Sequence, residues 1–300
     1  MVKTIGLDIG GTKIKGAVID EKGQILKSYK LDTCASEGAN KVLSNIEKII
    51  NKLKDDDIKA IGAGTPGFID SKNGIITFAG NIEGWTGLNL KEEIEKRSGI
   101  KTFVENDANI ALVSEKWLGA GKGYKDIVMI TLGTGLGGAV YNSQMGLLKG
   151  SHFQGAELGH VILHPNGRSC TCGQDGCAES YCSGSAIRRH YEELTNKKKI
   201  GEEIFSLIDS DENAKKVVDT FTEDLAYYLT SLRNIFDPQI IIIGGGVIDS
   251  SKYWWDGTMD KFKKYCHLAQ EVEIKPAKFL NDSGIIGAGK IAMERLDDEQ

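Results

Sequence analysis

The chain has 300 residues, of which 40% are apolar and 26% charged, and it carries a formal net charge of −5. This balance is typical of a soluble globular protein, and the negative charge gives no general attraction to nucleic acid or anionic lipid. No apolar run approaches the roughly 20 residues of a membrane-spanning helix, and no continuous apolar signal segment opens the chain. We therefore expect a cytoplasmic protein with no nucleic-acid partner and no membrane contact.

The first third of the chain predicts three antiparallel strands, a helix and a further strand. Apolar residues alternate over 5–9, 14–18 and 25–31, and short glycine-containing turns separate these runs. An amphipathic helix is predicted over 42–53, because its apolar residues keep to one face. The strand that follows ends in a turn at 64–67.

The same order of elements recurs later in the chain. A strand over 127–132 is followed by a glycine-rich turn and a second strand over 139–141. A long amphipathic helix over 214–232 then leads to a strand at 240–243 and a run of three glycines. Two similar halves of this kind predict an α/β fold with two domains that face a cleft.

The predicted domains are unequal. We place a small N-terminal α/β domain at residues 1–115 and a large α/β domain at residues 116–300. The last helix, about 285–300, is expected to pack back on the first domain.

Three turns place glycines directly after apolar strands, beginning at Gly10, Gly133 and Gly244. Glycine permits unusual backbone angles and close approach, so several N–H groups can converge on one anion. One such turn is usually a hairpin that binds no ligand, but three in one chain favour a nucleotide-binding site. Gly133, Gly135 and Gly138 match the dinucleotide-binding spacing, yet a predicted strand follows them where that motif requires a helix. Because the P-loop sequence is also absent, we interpret the turns as strand–turn–strand clamps on phosphates.

Asp8 lies two residues before the first of these turns. A carboxylate beside a phosphate repels it unless a cation lies between them, and Mg²⁺ binds few protein carboxylates while keeping several waters. Asp8 is therefore a candidate magnesium ligand, directly or through water. The alternative is an aspartate that caps the turn.

Three of the six cysteines lie within residues 170–177. In a cytoplasmic chain such clustering predicts a metal before a disulfide. Three thiolates and one imidazole complete a closed tetrahedral zinc site with no position left for water, so the zinc would be structural. Spacing alone leaves the fourth ligand open between His160 and His164, and three free thiols are the alternative.

Five motifs together resemble a known protein family. They are, in chain order, Asp8-x-Gly10-Gly11-Thr12, Glu105-Asn106-Asp107-Ala108-Asn109, Leu132-Gly133-Thr134-Gly135, Glu157-Leu158-Gly159-His160 followed by Cys170-x-Cys172-x4-Cys177-x-Glu179, and Ile243-Gly244-Gly245-Gly246. The first, third and last resemble the two phosphate motifs and the adenosine motif of the superfamily of sugar kinases, actin and Hsp70 chaperones. The other two make the resemblance specific to the ROK family (repressors, open reading frames, kinases), and it covers nearly the whole chain.

The resemblance implies an ATP-dependent sugar kinase with two actin-like, ribonuclease H-like domains whose mixed sheets flank a cleft. It implies that ATP and Mg²⁺ are bound by Asp8, Gly10, Gly11, Thr12, Lys13, Gly133, Thr134, Gly135, Gly244, Gly245 and Gly246. It implies that the sugar is bound by Gly67, Asn81, Asn106, Asp107, Glu157, His160 and Glu179. It also assigns the fourth zinc position to His160, beside Cys170, Cys172 and Cys177.

Asn106 and Asp107 directly precede a helical pattern, so the simplest interpretation of both is a helix N-terminus. Phosphoryl transfer also needs a group that orients the attacking hydroxyl and accepts its proton. The resemblance places Asp107 in that catalytic role. It also suggests that zinc fixes the His160 ring, so that its second nitrogen can meet a sugar hydroxyl.

Glucose and its 6-hydroxyl are the first expectation for the acceptor, and N-acetylmannosamine, fructose, allose and β-glucosides are the alternatives.

A transcriptional repressor of the family would carry an N-terminal helix-turn-helix, for which we see no room before Asp8. An actin-like or chaperone ATPase would have no reason to carry the zinc loop. A zinc ribbon that binds RNA would need basic surroundings that the cysteine cluster lacks. Because dimers are common in the family, we expect a homodimer.

Overall fold

The structure, a computed structural model, describes residues 2–80, 82–267 and 272–298. Its strands are β1 (Lys3–Ile9), β2 (Lys13–Asp20), β3 (Ile25–Asp32), β4 (Ile58–Thr65), β5 (Phe68–Asp70), β6 (Ile75–Phe78), β7 (Thr102–Asn106), β8 (Asp126–Leu132), β9 (Leu136–Asn142), β10 (Gly146–Leu147), β11 (Ile240–Gly244) and β12 (Glu273–Pro276). Its α-helices are α1 (Ala39–Leu53), α2 (Leu90–Ser98), α3 (Asp107–Leu118), α4 (Glu179–Cys182), α5 (Gly184–Thr195), α6 (Gly201–Ser206), α7 (Glu212–Phe236), α8 (Trp255–Tyr265) and α9 (Ser283–Asp298). Within these described ranges, every helix is too short or too polar to cross a lipid bilayer.

The chain divides into two compact units, each assembled from separate stretches of sequence. The first unit contains residues 1–123, 147–155 and 278–300, and the second contains residues 124–146 and 156–277. The domain limits drawn from the sequence stay a prediction.

The first unit is built on a mixed sheet with the strand order β3-β2-β1-β4-β7. β1, β2 and β3 pair antiparallel, whereas β4 and β7 extend the sheet parallel to β1. The apolar stripe of α1, including Ile46 and Ile49, is buried in one core cluster with Ile5 and Leu7 of β1. Each such side chain contributes roughly 1.5–3 kcal/mol relative to exposure, so this face anchors the sheet.

Helix α9 packs against β1 and β4 at the positions where these strands carry glycine. A Cβ atom at Gly6 would stand 1.9 Å from the Ile285 carbonyl oxygen, and one at Gly62 would stand 1.8 Å from that of Ala288. No side chain fits in either place, so the backbone of α9 lies directly against the strands. The last described helix thereby completes the unit that contains the first strand.

The second unit repeats this arrangement in its sheet, whose strand order is β10-β9-β8-β11-β12. β8 and β9 form an antiparallel hairpin, and β11 and β12 continue parallel to β8. Helix α7 buries an apolar stripe that includes Val217, Phe221, Leu225 and Leu229. Both units are therefore α/β with mixed sheets, which confirms the predicted fold class.

Candidate functional site

The first glycine turn joins β1 to β2 in the first unit. The Gly10 N–H donates to the Lys13 carbonyl over 3.0 Å, which closes the turn. Thr33, just after β3, holds the turn from the side: its hydroxyl donates to the Gly10 carbonyl over 2.6 Å and its N–H to the Thr12 carbonyl over 2.8 Å. Apart from its chain neighbours, no described atom lies within 4 Å of the point where a Gly11 Cβ would stand. The turn is therefore braced at its base and open at its tip.

Asp8 is the carboxylate that precedes this turn, and it is partly buried. Burial raises its pKa to about 6, the negative charge of Asp107 adds to the rise, and Lys15 opposes it. The start of α9 packs on this carboxylate, since a Cβ at Gly284 would stand 2.5 Å from Asp8 Cγ. A carboxylate that is difficult to ionise by itself gains most from a nearby cation. The environment therefore suits a metal-binding aspartate better than an exposed turn cap.

The junction of β7 and α3 holds Asn106 and Asp107. Asn106 caps α3, because its Oδ1 accepts from the N–H groups of Ala108 over 2.9 Å and Asn109 over 3.3 Å. Its amide donates to the Gly67 carbonyl over 3.0 Å, and Gly67 has a left-handed φ of 108°. The helix-cap interpretation of Asn106 thus describes its observed contacts, and the same side chain fixes the glycine turn after β4.

Asp107 is the first residue of α3 and is partly buried. Burial raises the pKa of its carboxyl, although hydrogen bonds from the backbone N–H groups of Ala108 and of Asp107 itself oppose the rise. The Oδ1–N distance to Ala108 is 2.9 Å. Because its charge also raises the pKa of Asp8, the first unit contains a pair of interacting carboxylates, one from β1 and one from α3.

Glu105 supports this junction, although the motif that contains it predicts no separate role for its side chain. Only 3% of its side chain is exposed, and its Oε1 accepts from the Asn106 N–H and from the Asn109 amide, each over 3.1 Å. Its Oε2 lies 2.5 Å from a guanidinium nitrogen of Arg295 and 3.0 Å from the Lys149 ammonium. A buried carboxylate is retained only when it is paired in this way. Glu105 therefore fixes the turn that carries the predicted catalytic aspartate.

The second glycine turn joins β8 to β9 in the second unit. The Gly133 N–H donates to the Gly135 carbonyl over 2.9 Å. Helix α5 begins against the same turn, where the N–H groups of Gly184 and Ser185 donate to the carbonyls of Gly133 and Thr134 over 2.8 and 3.3 Å. The turn is thus held by the first residues of a helix.

Glu179 holds the other side of this turn. Its Oε2 accepts from the Leu136 N–H over 2.9 Å, and a Cβ at Gly135 would stand 2.3 Å from that oxygen. Its Oε1 lies 3.8 Å from the Cys170 sulfur. One carboxylate therefore contacts both the second glycine turn and the cysteine loop.

The third glycine run follows β11. Gly244 ends the strand, and Gly245 has a φ of 84°. A Cβ at Gly245 would stand 2.4 Å from the carbonyl oxygen of Leu132, the last residue of β8. The run therefore passes close to the second turn, and Gly246 opens the short 3₁₀ segment Gly246–Tyr253.

The predicted metal ligands converge in the second unit. The Nδ1 or Nε2 atom of His160 and the sulfur atoms of Cys170, Cys172 and Cys177 all lie within 4.8 Å of one another. The Cys172 and Cys177 sulfurs are 3.6 Å apart, and the Cys170 sulfur is 3.7 Å from His160 Nδ1. Tetrahedral zinc separates two sulfurs by about 3.8 Å, and a sulfur and a nitrogen by about 3.6 Å, given its usual bond lengths. The donor set and its dimensions fit that ion.

His164, the other candidate ligand, is engaged elsewhere. Its Nε2 lies 2.6 Å from Asp224 Oδ1, and its ring packs at 4.4 Å from that of Tyr181. The fourth donor beside the three cysteines is therefore His160, in agreement with the assignment that the resemblance implied.

Glu157, another predicted sugar ligand, lies three residues before His160 of this cluster. Glu157 directly precedes the 3₁₀ turn Leu158–His160, and its carbonyl accepts from the His160 N–H over 3.1 Å. The side chain of Lys13 is exposed at the start of β2. Asn81 lies outside the described residues.

The two units thus hold separate parts of the predicted site. The first brings together the Asp8 turn, Gly67, Asn106 and Asp107, while the second brings together the Gly133 turn, the glycine run at 244–246 and the cysteine loop with Glu179. Each set is described within its own unit.

The chain is similar to known proteins over nearly its whole length. The model of the ROK family matches residues 4–295. A glucokinase of Thermotoga maritima is 36% identical over 98% of this chain and 98% of its own length. A β-glucoside kinase of Listeria innocua is 31% identical over 96% of each chain.

Two solved structures superpose over nearly the full length. A ROK hexokinase from Thermus thermophilus has a TM-score of 0.89 at 30% identity, covering 99% of this chain and 100% of its own. A ROK family glucokinase from Streptomyces griseus, in complex with glucose and AMPPNP, has a TM-score of 0.84 at 32% identity, covering 97% of this chain and 99% of its own.

Proposed function

The chain belongs to the ROK family, and from that premise we propose that it is an ATP-dependent sugar kinase that phosphorylates glucose on its 6-hydroxyl. The observation that carries the proposal is the full-length similarity to glucokinases. The sequence motifs that the sugar-kinase interpretation needs also lie at strand ends, at the 3₁₀ turn Leu158–His160 or in the cysteine loop. The predicted family and enzyme class are confirmed by these comparisons.

On the donor side, we infer that the turns beginning at Gly10 and Gly133 bind the ATP phosphates through backbone N–H groups. The glycine run at 244–246 is inferred to face the adenosine. Asp8 would hold Mg²⁺, directly or through water, and the ion would neutralise charge on the transferring phosphoryl group. The raised pKa of Asp8 supports this role, because a cation relieves the cost of its ionisation.

On the acceptor side, we infer that the carboxylates of Glu157 and Glu179 and the ring of His160 form hydrogen bonds with sugar hydroxyls. Asn106 and Gly67 are inferred to contact the same sugar. The proximity of His160 Nδ1 to Cys170 leaves Nε2 as the nitrogen available for a hydroxyl. Glu179 contacts both the second glycine turn and the cysteine loop, so its carboxylate lies between the inferred phosphate-binding and sugar-binding groups.

Asp107 is the proposed catalytic base. Its carboxylate would accept the proton of the attacking hydroxyl while the oxygen forms a bond to the γ-phosphorus and the bond to the β-phosphate oxygen breaks. Burial raises the pKa of this carboxyl, and a more basic carboxylate is a better proton acceptor.

We propose that His160, Cys170, Cys172 and Cys177 bind a structural Zn²⁺. The four protein donors fill a tetrahedral site, so the ion would orient the loop and the His160 ring instead of activating water. Metal analysis of the purified protein tests this directly, and one zinc per chain is the expected result.

Other hexoses are the second candidate acceptors, and the β-glucoside kinase relative is the observation that keeps them open. A regulator or a chaperone-type ATPase is less well supported, because the glucokinase and β-glucoside kinase relatives match over nearly their full length and the cysteine loop has the geometry of a metal site.

A coupled ADP-release assay over a panel of hexoses, N-acetylhexosamines and β-glucosides tests the function. We expect glucose to stimulate ADP release most strongly. Stronger stimulation by another sugar would reassign the substrate, and no stimulation by any sugar would remove the kinase proposal.

We further propose a cytoplasmic homodimer that feeds glucose into glycolysis. The basis is the family assignment. Light scattering of the purified protein gives the oligomeric state, and a monomer at working concentration would refute the dimer.

A further inference from the structure

The first unit contains a cavity that the proposed reaction does not use. It has a volume of about 290 Å³, and Lys72, Lys91, Lys149 and Arg295 line it. They come from the turn between β5 and β6, from α2, from the segment 147–155 and from α9. Cations from four distant parts of the sequence are thus brought to one small space in a chain whose net charge is −5.

The positive charges of two of these side chains are partly neutralised by one buried carboxylate. Lys149 and Arg295 share the single carboxylate of Glu105, at 3.0 and 2.5 Å. Lys149 also donates to the Ser71 hydroxyl over 2.8 Å, and Arg295 donates to the Ser71 carbonyl over 2.8 Å. These contacts hold both side chains in place at the wall of the cavity.

The other two cations have no such partner. In the described part of the chain, the ammonium groups of Lys72 and Lys91 have no ion pair or side-chain hydrogen bond. The stem of Lys91 is positioned by packing, because Gly74 leaves room for it: a Cβ at Gly74 would stand 2.3 Å from the Lys91 Cβ. Asp298 is the one acidic residue among those that line the cavity.

The charges at this cavity do not balance. Glu105 offsets one of its two partners and Asp298 offsets one more of the four cations, which leaves two positive charges uncompensated. Ammonium and guanidinium groups of this kind are the usual partners of phosphate, and pockets for small ligands begin at about 300 Å³. A phosphate dianion matches the charge, and the cavity volume also leaves room for the rest of a small phosphate monoester.

We propose that this cavity binds a small phosphorylated anion, with Lys72 and Lys91 as its primary contacts and Lys149 and Arg295 as its wall. Inorganic phosphate and a phosphate monoester share the chemistry that this site recognises. A single carboxylate would leave one of the two charges uncompensated.

The site is coupled to the proposed catalytic turn through Glu105. An anion that draws Lys149 or Arg295 toward itself weakens their hold on Glu105, which accepts from the Asn106 N–H. This consequence rests on the proposed function, since Asp107 follows in the same turn. The anion is therefore expected to lower kcat, and not only to compete with a substrate.

Binding is measured by calorimetry on the full chain with saturating glucose and Mg·AMPPNP, so that the proposed active site is filled. Inorganic phosphate and glucose 6-phosphate are titrated separately at constant ionic strength, with acetate as the anion that lacks phosphate. We expect saturable binding of at least one phosphate compound and none of acetate. The compound that binds more tightly shows whether the site recognises free phosphate or a phosphate monoester.

Lys72→Ala and Lys91→Ala should each weaken that binding about tenfold or more, since each removes a charge-assisted hydrogen bond to the phosphate. Lys96→Ala is the matched control, because it removes the same charge from the exposed side of the same helix as Lys91. Unchanged binding in the double variant Lys72→Ala/Lys91→Ala, or no saturable binding at all, would overturn the site.

Measurements of kcat with and without the anion distinguish a failure of this site from a failure of the proposed function. In the wild type, the bound anion should lower kcat, and in the double variant it should not. If no sugar is phosphorylated but the lysine-dependent binding persists, the site stands and the kinase proposal fails. If binding persists and kcat does not respond, the coupling through Glu105 is wrong.

Discussion

The two predicted phosphate turns have the same local design and different surroundings. Each joins an antiparallel pair of strands at the centre of a mixed sheet. The turn after β1 is open at Gly11 and lies near two interacting carboxylates, Asp8 and Asp107. The turn after β8 is closed in by Glu179 and by the first residues of α5.

The difference separates two tasks that one motif can serve. Burial disfavours the ionisation of the carboxylates beside the open turn. A bound cation or a hydrogen bond from a reacting hydroxyl would therefore stabilise their charged form. A turn bonded on both sides has fixed N–H groups, so binding a phosphate there costs little reorganisation. We therefore expect substitutions near the first turn to affect chemistry and pH response, and those near the second to affect stability and zinc.

The largest expected effect belongs to Asp107, the carboxylate that interacts with Asp8 beside the first turn. Asp107→Asn should lower turnover by about 10²–10⁴-fold while sugar binding is retained, because the variant cannot accept the hydroxyl proton. ADP release and calorimetric sugar binding measure the two properties. Asp260→Asn, an exposed aspartate of α8, is the control. Turnover near that of the wild type would remove Asp107 from the mechanism.

The second effect tests the cysteine loop. Cys172→Ser should abolish stoichiometric zinc and raise the KM for sugar by about 10-fold or more, because His160 and Glu179 lose their anchor. Elemental analysis and kinetics give the two readouts, and Cys34→Ser controls for loss of a thiol outside the cluster. If zinc-free protein kept the wild-type KM, the metal would have no part in sugar binding.

The third effect is a pH dependence at the first turn. Burial raises the pKa of Asp8 from 3.8 to about 6, so the folded chain holds the proton more tightly than the unfolded chain. The contribution of Asp8 to stability is therefore complete below the unfolded value and is lost as the pH rises through about 6. Without Mg²⁺, Asp8→Asn should raise the free energy of unfolding at pH 7.5 by up to about 3 kcal/mol.

Urea unfolding at several pH values measures this difference. The advantage of Asp8→Asn should shrink toward pH 4.5, whereas the exposed Asp56→Asn should match the wild type throughout. A difference that does not vary with pH would show that Asp8 does not titrate in this range.

The smallest effect compares the two turns directly. Gly135→Ala places a Cβ 2.3 Å from Glu179 Oε2, whereas Gly11→Ala meets no described atom within 4 Å. We expect the first substitution to cost about 1–3 kcal/mol of stability, as overpacking does, and the second to cost little. Equal losses in denaturant unfolding would contradict the distinction between a closed and an open turn.

The sequence could predict the features that depend on neighbouring residues. Alternating apolar residues and glycines gave the hairpins, and the position of Asn106 before a helical pattern gave the cap of α3. The cysteine spacing predicted that the three thiols converge, although the choice between His160 and His164 as the fourth donor needed either the family resemblance or the observed pairing of His164 with Asp224.

Contacts between distant residues could not be predicted in this way. Arg295 lies 190 positions from Glu105, and no periodicity marks that pair. Gly284 gives no sign in the sequence that it packs on Asp8. Lys149 belongs to a short stretch that returns to the first unit, whereas composition and hydropathy describe only local preference. Such pairs follow from the three-dimensional path of the chain.

The packing of α9 against Gly6 and Gly62 also has a consequence for biosynthesis. The ribosome completes β1 and β4 long before it makes residues 283–298, so the strand face that α9 covers is open while the second unit is synthesised. We expect the first unit to reach its native state only after α9 has been made, whereas the second unit can fold earlier. A chain shortened before α9 should therefore be captured by chaperones or aggregate, even though its sheet strands and glycine turns are all present.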